Sequence, residues 1–529
     1  MLFSRRRNIG SPSLNINGSP LTFVDSFRYL GVTFDTKLTY RNHVDTVVTK
    51  CSNQMNLMKL LTRTYWGAGK KSLLKIYRSL IRPVIEYGMP AYFFSTRTQQ
   101  KKIETIQNQA LRICCGAMPS TPICVLQASC HEMPLHIRHL YLCLTYRYHL
   151  LSCTARHPSL SVISDSWHDL YCLTNPNFKT FNYFTKNVIS NDLSVSSTPA
   201  ILKPPWLISV PLVDTRLLKL TPSQPSPQRT KVTSLDYIND TYEENGYVTI
   251  YTDGSKMENG AGYSVFIPCL GIGIARKCEA VHSPYFVELM AIARATSWIL
   301  ARTSSDKKYV IFCDCLSAIE ALGNPLYSFE HPIINEIMSA SDLMLRRGYH
   351  VIYAWVPGHV GIPGNEKSDQ LARKAALSSD TISESRPFSK SEAKALLSEY
   401  CCTSWNREYQ GNERGSAYKI LFPSVHQRSI PATSRKYETI LFRLRSGHCR
   451  LRAHLCKIGC SDSSLCEICH SPETVTHFLL HCPQYESNRS LLKKVTAELN
   501  IPFTLHMVLC DPRLLIPAVE FTLASGKFI

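Results

Sequence analysis

Between residues 20 and 150, short strand-like runs alternate with longer stretches such as HVDTVVTKCSNQMNLMKLL and KKSLLKIYRSLIRPVIEYGM. Apolar residues recurring every three or four positions share one helical face, so a mostly helical region is expected over 1–150. From 151 to 245 that period breaks into Ser, Thr and Pro. PPWLISVP and TPSQPSPQRT favour extended or turn-forming backbone, which predicts a Pro/Ser-rich linker with a few aromatic segments docked on a neighbour.

Regular pattern returns at 247. YVTIYTDGS, GAGYSVFIP and LGIGIARKCEA read as strands separated by Gly and Pro, most simply a meander. PYFVELMAIARATSWILART then predicts a helix with Pro near its start, YVIFCDC an apolar strand, HVIYAWVP a last strand and GNEKSDQLARKAAL a last helix. Strands followed by alternating helix and strand predict an α/β sheet with antiparallel and parallel parts over 246–378. Residues 388–529 are again helical in period, with a basic stretch RLRSGHCRLR. No internal repeat is present, and the chain is long enough for several cores.

Charge narrows the partner. Lys and Arg outnumber Asp and Glu by 59 to 40, a formal charge of +19, which favours a polyanion such as nucleic acid. No apolar run reaches the ~20 residues of a membrane-spanning helix, and MLFSRRRNIG lacks a signal-peptide core, so an intracellular place in nucleus or cytoplasm is expected. In such a compartment most of the 21 cysteines are expected to be reduced and to act as small hydrophobes.

Four carboxylates stand out. Asp253 and Asp314 end the strands VTIYT and YVIF; on parallel neighbours they would emerge at one sheet edge, where open α/β sheets place ligands. Glu288 lies in a helix apolar on almost every side, where an unpaired carboxylate costs several kcal/mol unless protonated or bound to a cation. Asp369 falls in the first turn of the helix after VPGHVGIPG, a loop that also offers His359. Each has a plainer reading: a turn at Asp253-Gly254, a cap at Asp314, dipole compensation at Asp369, a solvated His359. All would have to hold together.

In order, TDGS, VELMAI, CDCLSAIEAL and WVPGHVGIPGNEKSDQLARKAA resemble type 1 ribonuclease H in the form carried by non-LTR retrotransposons. The resemblance implies a ribonuclease H-like mixed sheet with helices, flanked by mostly α-helical regions in a multidomain chain. It implies that Asp253, Glu288, Asp314 and Asp369 bind metal and that His359, on a mobile loop, assists proton transfer or product release. Val287 and Ser368 stand where the family often has alanine, and Cys315 where it often has serine, leaving all four acids intact. Such chemistry uses two Mg²⁺ (or Mn²⁺) ions held by hard oxygen ligands, and selectivity for RNA comes from its 2′-OH. Gly254 and Ser255 are expected to let the nucleic-acid backbone approach.

The flanks carry further resemblances. FRYLGVTFD at 27–35, His43, Trp66-Gly67, Arg82-Pro83, Glu86-Tyr87-Gly88 and LRICCGAMPSTP at 111–122 are similar to the thumb-like segment after the palm of retrotransposon reverse transcriptases. The chain has no Asp-Asp dipeptide, so no polymerase activity is expected, and the segment reads as a remnant. Cys466, Cys469, His477 and Cys482 form C-x2-C-x7-H-x4-C, a donor set suited to a closed tetrahedral Zn²⁺ site, with His470, His481 and Cys460 as rivals. This motif also looks like the C-terminal Cys/His motif of non-LTR elements. Arg443, Arg445, Arg450 and Arg452 just before it are expected to contact phosphates.

The leading expectation is therefore an endonuclease that cuts the RNA strand of RNA/DNA hybrids. The alternatives are a catalytically silent nucleic-acid-binding remnant and a structural scaffold.

Overall fold

The computed structural model describes residues 1–3, 13–92, 95–153, 158–159, 209–220, 226–258, 260–280, 282–302, 307–324, 331–378, 381–384, 386–427 and 434–527. They form two compact units, Thr145–Leu397 and Met1–Leu144 with Ser398–Ile529.

The first unit is built on a six-stranded sheet. Numbered within this unit, its strands are β1 (Leu212–Asp214), β2 (Val248–Met257), β3 (Gly260–Ile267), β4 (Ile272–Cys278), β5 (Lys308–Cys313) and β6 (His350–Trp355). They lie in the order β1-β6-β5-β2-β3-β4, with β1, β6, β5 and β2 parallel and β2–β4 the expected antiparallel meander. Alternation along β5 divides the core: Tyr309, Ile311 and Cys313 pack on one face, Val310 and Phe312 on the other. Helices α2 (Pro284–Leu300), α3 (Leu316–Leu322) and α4 (Pro332–Arg346) contribute to the first of these cores. The second core contains Ile238 from α1 (Pro227–Ile238). Ser283 caps α2 by accepting from the Phe286 N–H, and Pro284 follows in the first turn.

Helix α5 (Pro363–Leu377) lies close against the meander. A Cβ at Gly262 would stand 2.6 Å from the Ala376 nitrogen, so the small residues of GAG are what allow that approach.

The linker expected over 151–245 needs correction where it is described. Leu212–Asp214 joins the sheet as an edge strand, pairing in parallel with Ile352–Ala354, and Tyr242 is buried in the second core. Buried Asp214 receives hydrogen bonds from Arg216, from the Tyr237 hydroxyl at 2.6 Å and from the Tyr242 hydroxyl, and these hold its carboxyl below the usual range despite the opposing effect of burial. TPSQPSPQRT reads as loop, yet Ser226 and Pro227 are the cap and first residue of α1. PPWLISVP falls mostly outside the described residues. Beyond α5, Ile382 and Glu384 bond to both backbone groups of Lys277. Glu392, which accepts from Ser389, also reaches His282 at 3.3 Å and the Ser283 N–H at 3.4 Å, at the entry to α2.

The second unit shares one core between its two chain segments, with Leu111, Cys114 and Val125 beside Ile440, Leu444 and Phe521. The helix Arg97–Cys115 ends at Gly116, and Arg435 donates to the final carbonyls of Ile113 and Cys114 at 2.6 and 2.5 Å. A cation at a helix C-terminus satisfies carbonyls that lack intrahelical partners. The helical regions read separately from sequence are thus one packed body.

Candidate functional site

Strands β2 and β5 pair so that Thr252 faces Cys313, the last paired position, which sets Asp253 and Asp314 level on parallel neighbours. The turn reading of Asp253-Gly254 fails, because β2 continues to Met257 and Asp253 pairs across to Ser264 of β3. Helix α2 brings in Glu288. Asp369 lies nearly two turns into α5, which starts at Pro363, so compensation of the helix dipole in a first turn does not account for it.

Asp253, Glu288 and Asp314 are hard to ionise together. Asp253 is 4% exposed and its Oδ2 has no hydrogen-bond partner. Burial, then the charges of Asp314 and Asp369, push its carboxyl up to about 7. Burial, then the charges of Asp253 and Asp314, push Glu288 well above the carboxylate range, against the Gly254 N–H and the Cys313 thiol, which stands 3.6 Å from Oε2. Asp314 is also raised by burial, opposed by a 3.4 Å hydrogen bond from Asn365 and the charge of His359. Asp369 Oδ1 takes an ion pair from Arg373 at 2.8 Å. His359 is exposed, with a left-handed φ of 56°, and one of its nitrogens lies within 4.8 Å of Glu366 and Asp369 oxygens.

Sequence reasoning missed Asn365, Glu366 and Arg373. Asn365 is 1% exposed, with its Oδ1 unpartnered, one residue before Glu366 in GNEKSD; a buried amide beside acids was the available signal. Gly358 belongs here too, since a Cβ there would lie 2.5 Å from Asp314 Oδ2.

The close approach expected of Gly254 serves the protein's own backbone, and Arg443 and Arg445 are turned to carbonyls rather than to phosphates. Gly254 gives close approach to helix α2: a Cβ would stand 2.6 Å from the Glu288 nitrogen and 2.8 Å from the Val287 carbonyl carbon. Gly254→Ala is therefore expected to displace Glu288, with about 3 kcal/mol lost in urea unfolding. Wild-type stability in that variant would show that the strand and helix separate freely. Ser255 is half-buried and pairs with Gly262.

Arg443 and Arg445 are buried in the second unit. Arg443 donates to the Gly116 carbonyl at 3.0 Å and the Tyr65 hydroxyl at 3.1 Å, and Arg445 to the Leu509 carbonyl at 2.8 Å. The helix Arg435–Ser446 is buried on every side from Thr439 to Ser446, so both arginines point into protein and meet carbonyls in place of phosphates. Arg445→Ala should cost about 2 kcal/mol of stability and leave the salt dependence of nucleic-acid binding unchanged; a shallower log–log slope would restore the phosphate reading. Arg452 pairs with Glu467, and Arg450 is exposed.

In the same unit Cys466, Cys469, His477 and Cys482 present atoms that all lie within 4.8 Å of one another. Cys469 Sγ is 3.2 Å from His477 Nε2, and the sulfurs of Cys466 and Cys482 are 3.8 Å apart. Burial raises the Cys466 thiol, but the Cys469 and Ile468 N–H groups and His477 outweigh it and bring it to about 6. Behind the cluster buried Arg489 donates to the Leu479, Phe478 and Cys482 carbonyls. The rivals His470, His481 and Cys460 stand outside this four-atom grouping.

Part of the chain is similar to known proteins. Residues 245–377 match the RNase H family. The chain is 30% identical over 106 residues to an RNA-directed DNA polymerase from mobile element jockey of Drosophila funebris, covering 20% of this chain and 12% of that protein. It is 27% identical over 157 residues to ribonuclease H1 of Homo sapiens, covering 27% of this chain and 54% of that protein. The chain thus spans about an eighth of the first relative and about half of the second. Among solved structures, LC11-RNase H1 in complex with an RNA/DNA hybrid aligns at 18% identity and a TM-score of 0.21, covering 24% of this chain and 96% of that one. The chain carries an RNase H domain, and its relatives include polymerases of mobile elements.

Proposed function

We propose that the RNase H domain hydrolyses the RNA strand of RNA/DNA hybrids, with Asp253, Glu288, Asp314 and Asp369 holding two divalent cations. The observation that carries this reading is the buried, unpartnered Oδ2 of Asp253, a carboxyl raised by burial and then by the charges of Asp314 and Asp369. A set of hard oxygen donors that repel without a cation fits Mg²⁺ or Mn²⁺. When bound, the ions supply a nucleophile at neutral pH and charge stabilisation for the leaving oxygen. The chain's own residues do the rest: Asn365 orients Asp314, Arg373 holds Asp369, and His359, exposed on its loop, moves a proton near Glu366 and Asp369. Ser255 beside Asp253 and exposed Arg450 are offered as contacts to the strand.

The donor set of Cys466, Cys469, His477 and Cys482 fits Zn²⁺ in a closed structural site, where it would order the segment around it. Such a site needs thiolates; without a cation the Cys466 thiol is lowered while burial and Cys466 raise that of Cys482, and a bound cation would favour the thiolate at both. The substrate reading is tested with labelled hybrid, single-stranded RNA, duplex RNA and duplex DNA. Cleavage confined to the RNA of the hybrid is expected; equal cutting of single-stranded RNA would overturn it.

A further inference from the structure

The second unit contains a cavity of about 300 Å³ that the nuclease reading does not use. Leu421, Leu444, Leu451, Leu505 and Leu509 give it apolar walls, while Arg445, His448, His454, Lys457 and Glu473 bring polar groups to its lining. This is the make-up of a small-molecule site: an apolar body with a few placed polar groups.

The hydrogen bonds fix what the polar wall presents. His454 Nδ1 lies 2.8 Å from the Cys449 carbonyl, which can only accept, so that nitrogen carries the proton. In neutral His454 the Nε2 therefore accepts from the Ser120 hydroxyl at 2.9 Å. Ser120 Oγ has then spent its proton and accepts from His448 Nδ1 at 3.1 Å. His448 is left with Nε2 as an acceptor, and burial, with the nearby Lys457 ammonium, lowers its pKa to about 4 and keeps the ring neutral.

Charge selects further. Glu473 is already answered, one oxygen by Lys527 at 2.8 Å and the other by the Arg452 N–H at 2.8 Å. Arg445 is turned to the Leu509 carbonyl. Exposed Lys457 is a cation at the cavity with no ion-pair partner among the described residues, so beside the hydroxyls of Ser416, Ser446, Thr474 and Thr476 the lining offers apolar walls, an imidazole acceptor and an ammonium.

We propose that this cavity binds a nucleobase carrying a 5′-phosphate, the base between the leucines with its exocyclic amine on His448 Nε2, and the phosphate on Lys457. The net charge of +19 favours such an anion over a neutral apolar ligand. The site is independent of the nuclease acids.

Adenosine 5′-monophosphate titrated into the full chain by calorimetry is the probe, with Lys457→Ala and Ala417→Trp as variants. Ala417 is an exposed lining residue, so the indole fills the cavity from outside the core, and Lys457 is exposed, so its loss leaves packing intact. Binding by the wild type, weakened at least about tenfold in each variant, is expected. A decamer of oligoadenylate that displaces the mononucleotide at lower concentration assigns the occupant to an unpaired base in a strand; displacement only at a similar concentration assigns it to a free nucleotide. No binding, or equal binding by wild type and both variants, overturns the proposal.

Discussion

Asp253→Asn is expected to abolish cleavage of an RNA/DNA hybrid and, in the absence of divalent cation, to make the domain more stable. The two effects share one cause. In the folded protein the Asp253 carboxyl is raised by burial and by Asp314 and Asp369 to about 7, from 3.8. A carboxyl whose pKa is raised on folding binds more protons in the folded state, so it costs stability as pH rises from the unfolded value towards the folded one, and the whole cost is present above about 7. Three units correspond to an upper bound of about 4 kcal/mol, shared among coupled acids. Thermal melts without metal should therefore show the wild type less stable at pH 8 than at pH 5, and the Asp253→Asn substitution should flatten that difference. Added Mg²⁺ should stabilise the wild type and not the variant. The loss of activity should be at least about a thousandfold, some 4 kcal/mol of barrier. A folded Asp253→Asn protein that cleaves like wild type removes the site assignment.

The second large effect concerns the Cys/His group. Structural zinc sites contribute about 10–16 kcal/mol of apparent binding free energy in small peptides, far more than a short segment's own packing supplies. Removing zinc with a chelator should unfold the segment from Cys466 to Cys482 and release Arg489, whose partners are the carbonyls of Phe478, Leu479 and Cys482. Cys482→Ser should do the same without chelator. Hydrogen exchange is the direct readout: amides of 464–485 should lose protection while those of β2 and β5 keep it. Purified protein that contains no zinc, and whose exchange does not change when zinc is added, would contradict the site.

Much of the RNase H domain was legible because periodic pattern coincides there with chemistry. Alternation of β-branched residues in YVTIYTDGS and the unbroken apolar run of YVIF mark strands, and Glu288 has no structural use in an apolar helix. What the sequence hid is where backbone geometry outweighs local pattern. Asp-Gly looks like a turn at 253–254, yet the strand runs on because Gly254 is needed to clear the Glu288 backbone. Leu212–Asp214 is three residues long, too short to show any period, and owes its place to pairing with Ile352–Ala354. Arg443 and Arg445 advertise charge, but their carbonyl partners at Gly116 and Leu509 are distant in sequence and appear only when the chain folds. The same holds for Asn365, whose importance follows from its burial beside Asp314.

Metal-dependent cleavage is proposed for the carboxylates on β2, α2, α5 and the end of β5. Its most direct measurement is a time course of the intact chain on a 5′-labelled RNA/DNA hybrid, run with Mg²⁺, with chelator alone, and with Asp314→Asn in Mg²⁺. RNA fragments with the DNA strand intact are expected in the first condition and none in the other two. Cleavage that persists in chelator or in the folded Asp314→Asn protein, or an inert wild type in both Mg²⁺ and Mn²⁺, would contradict it.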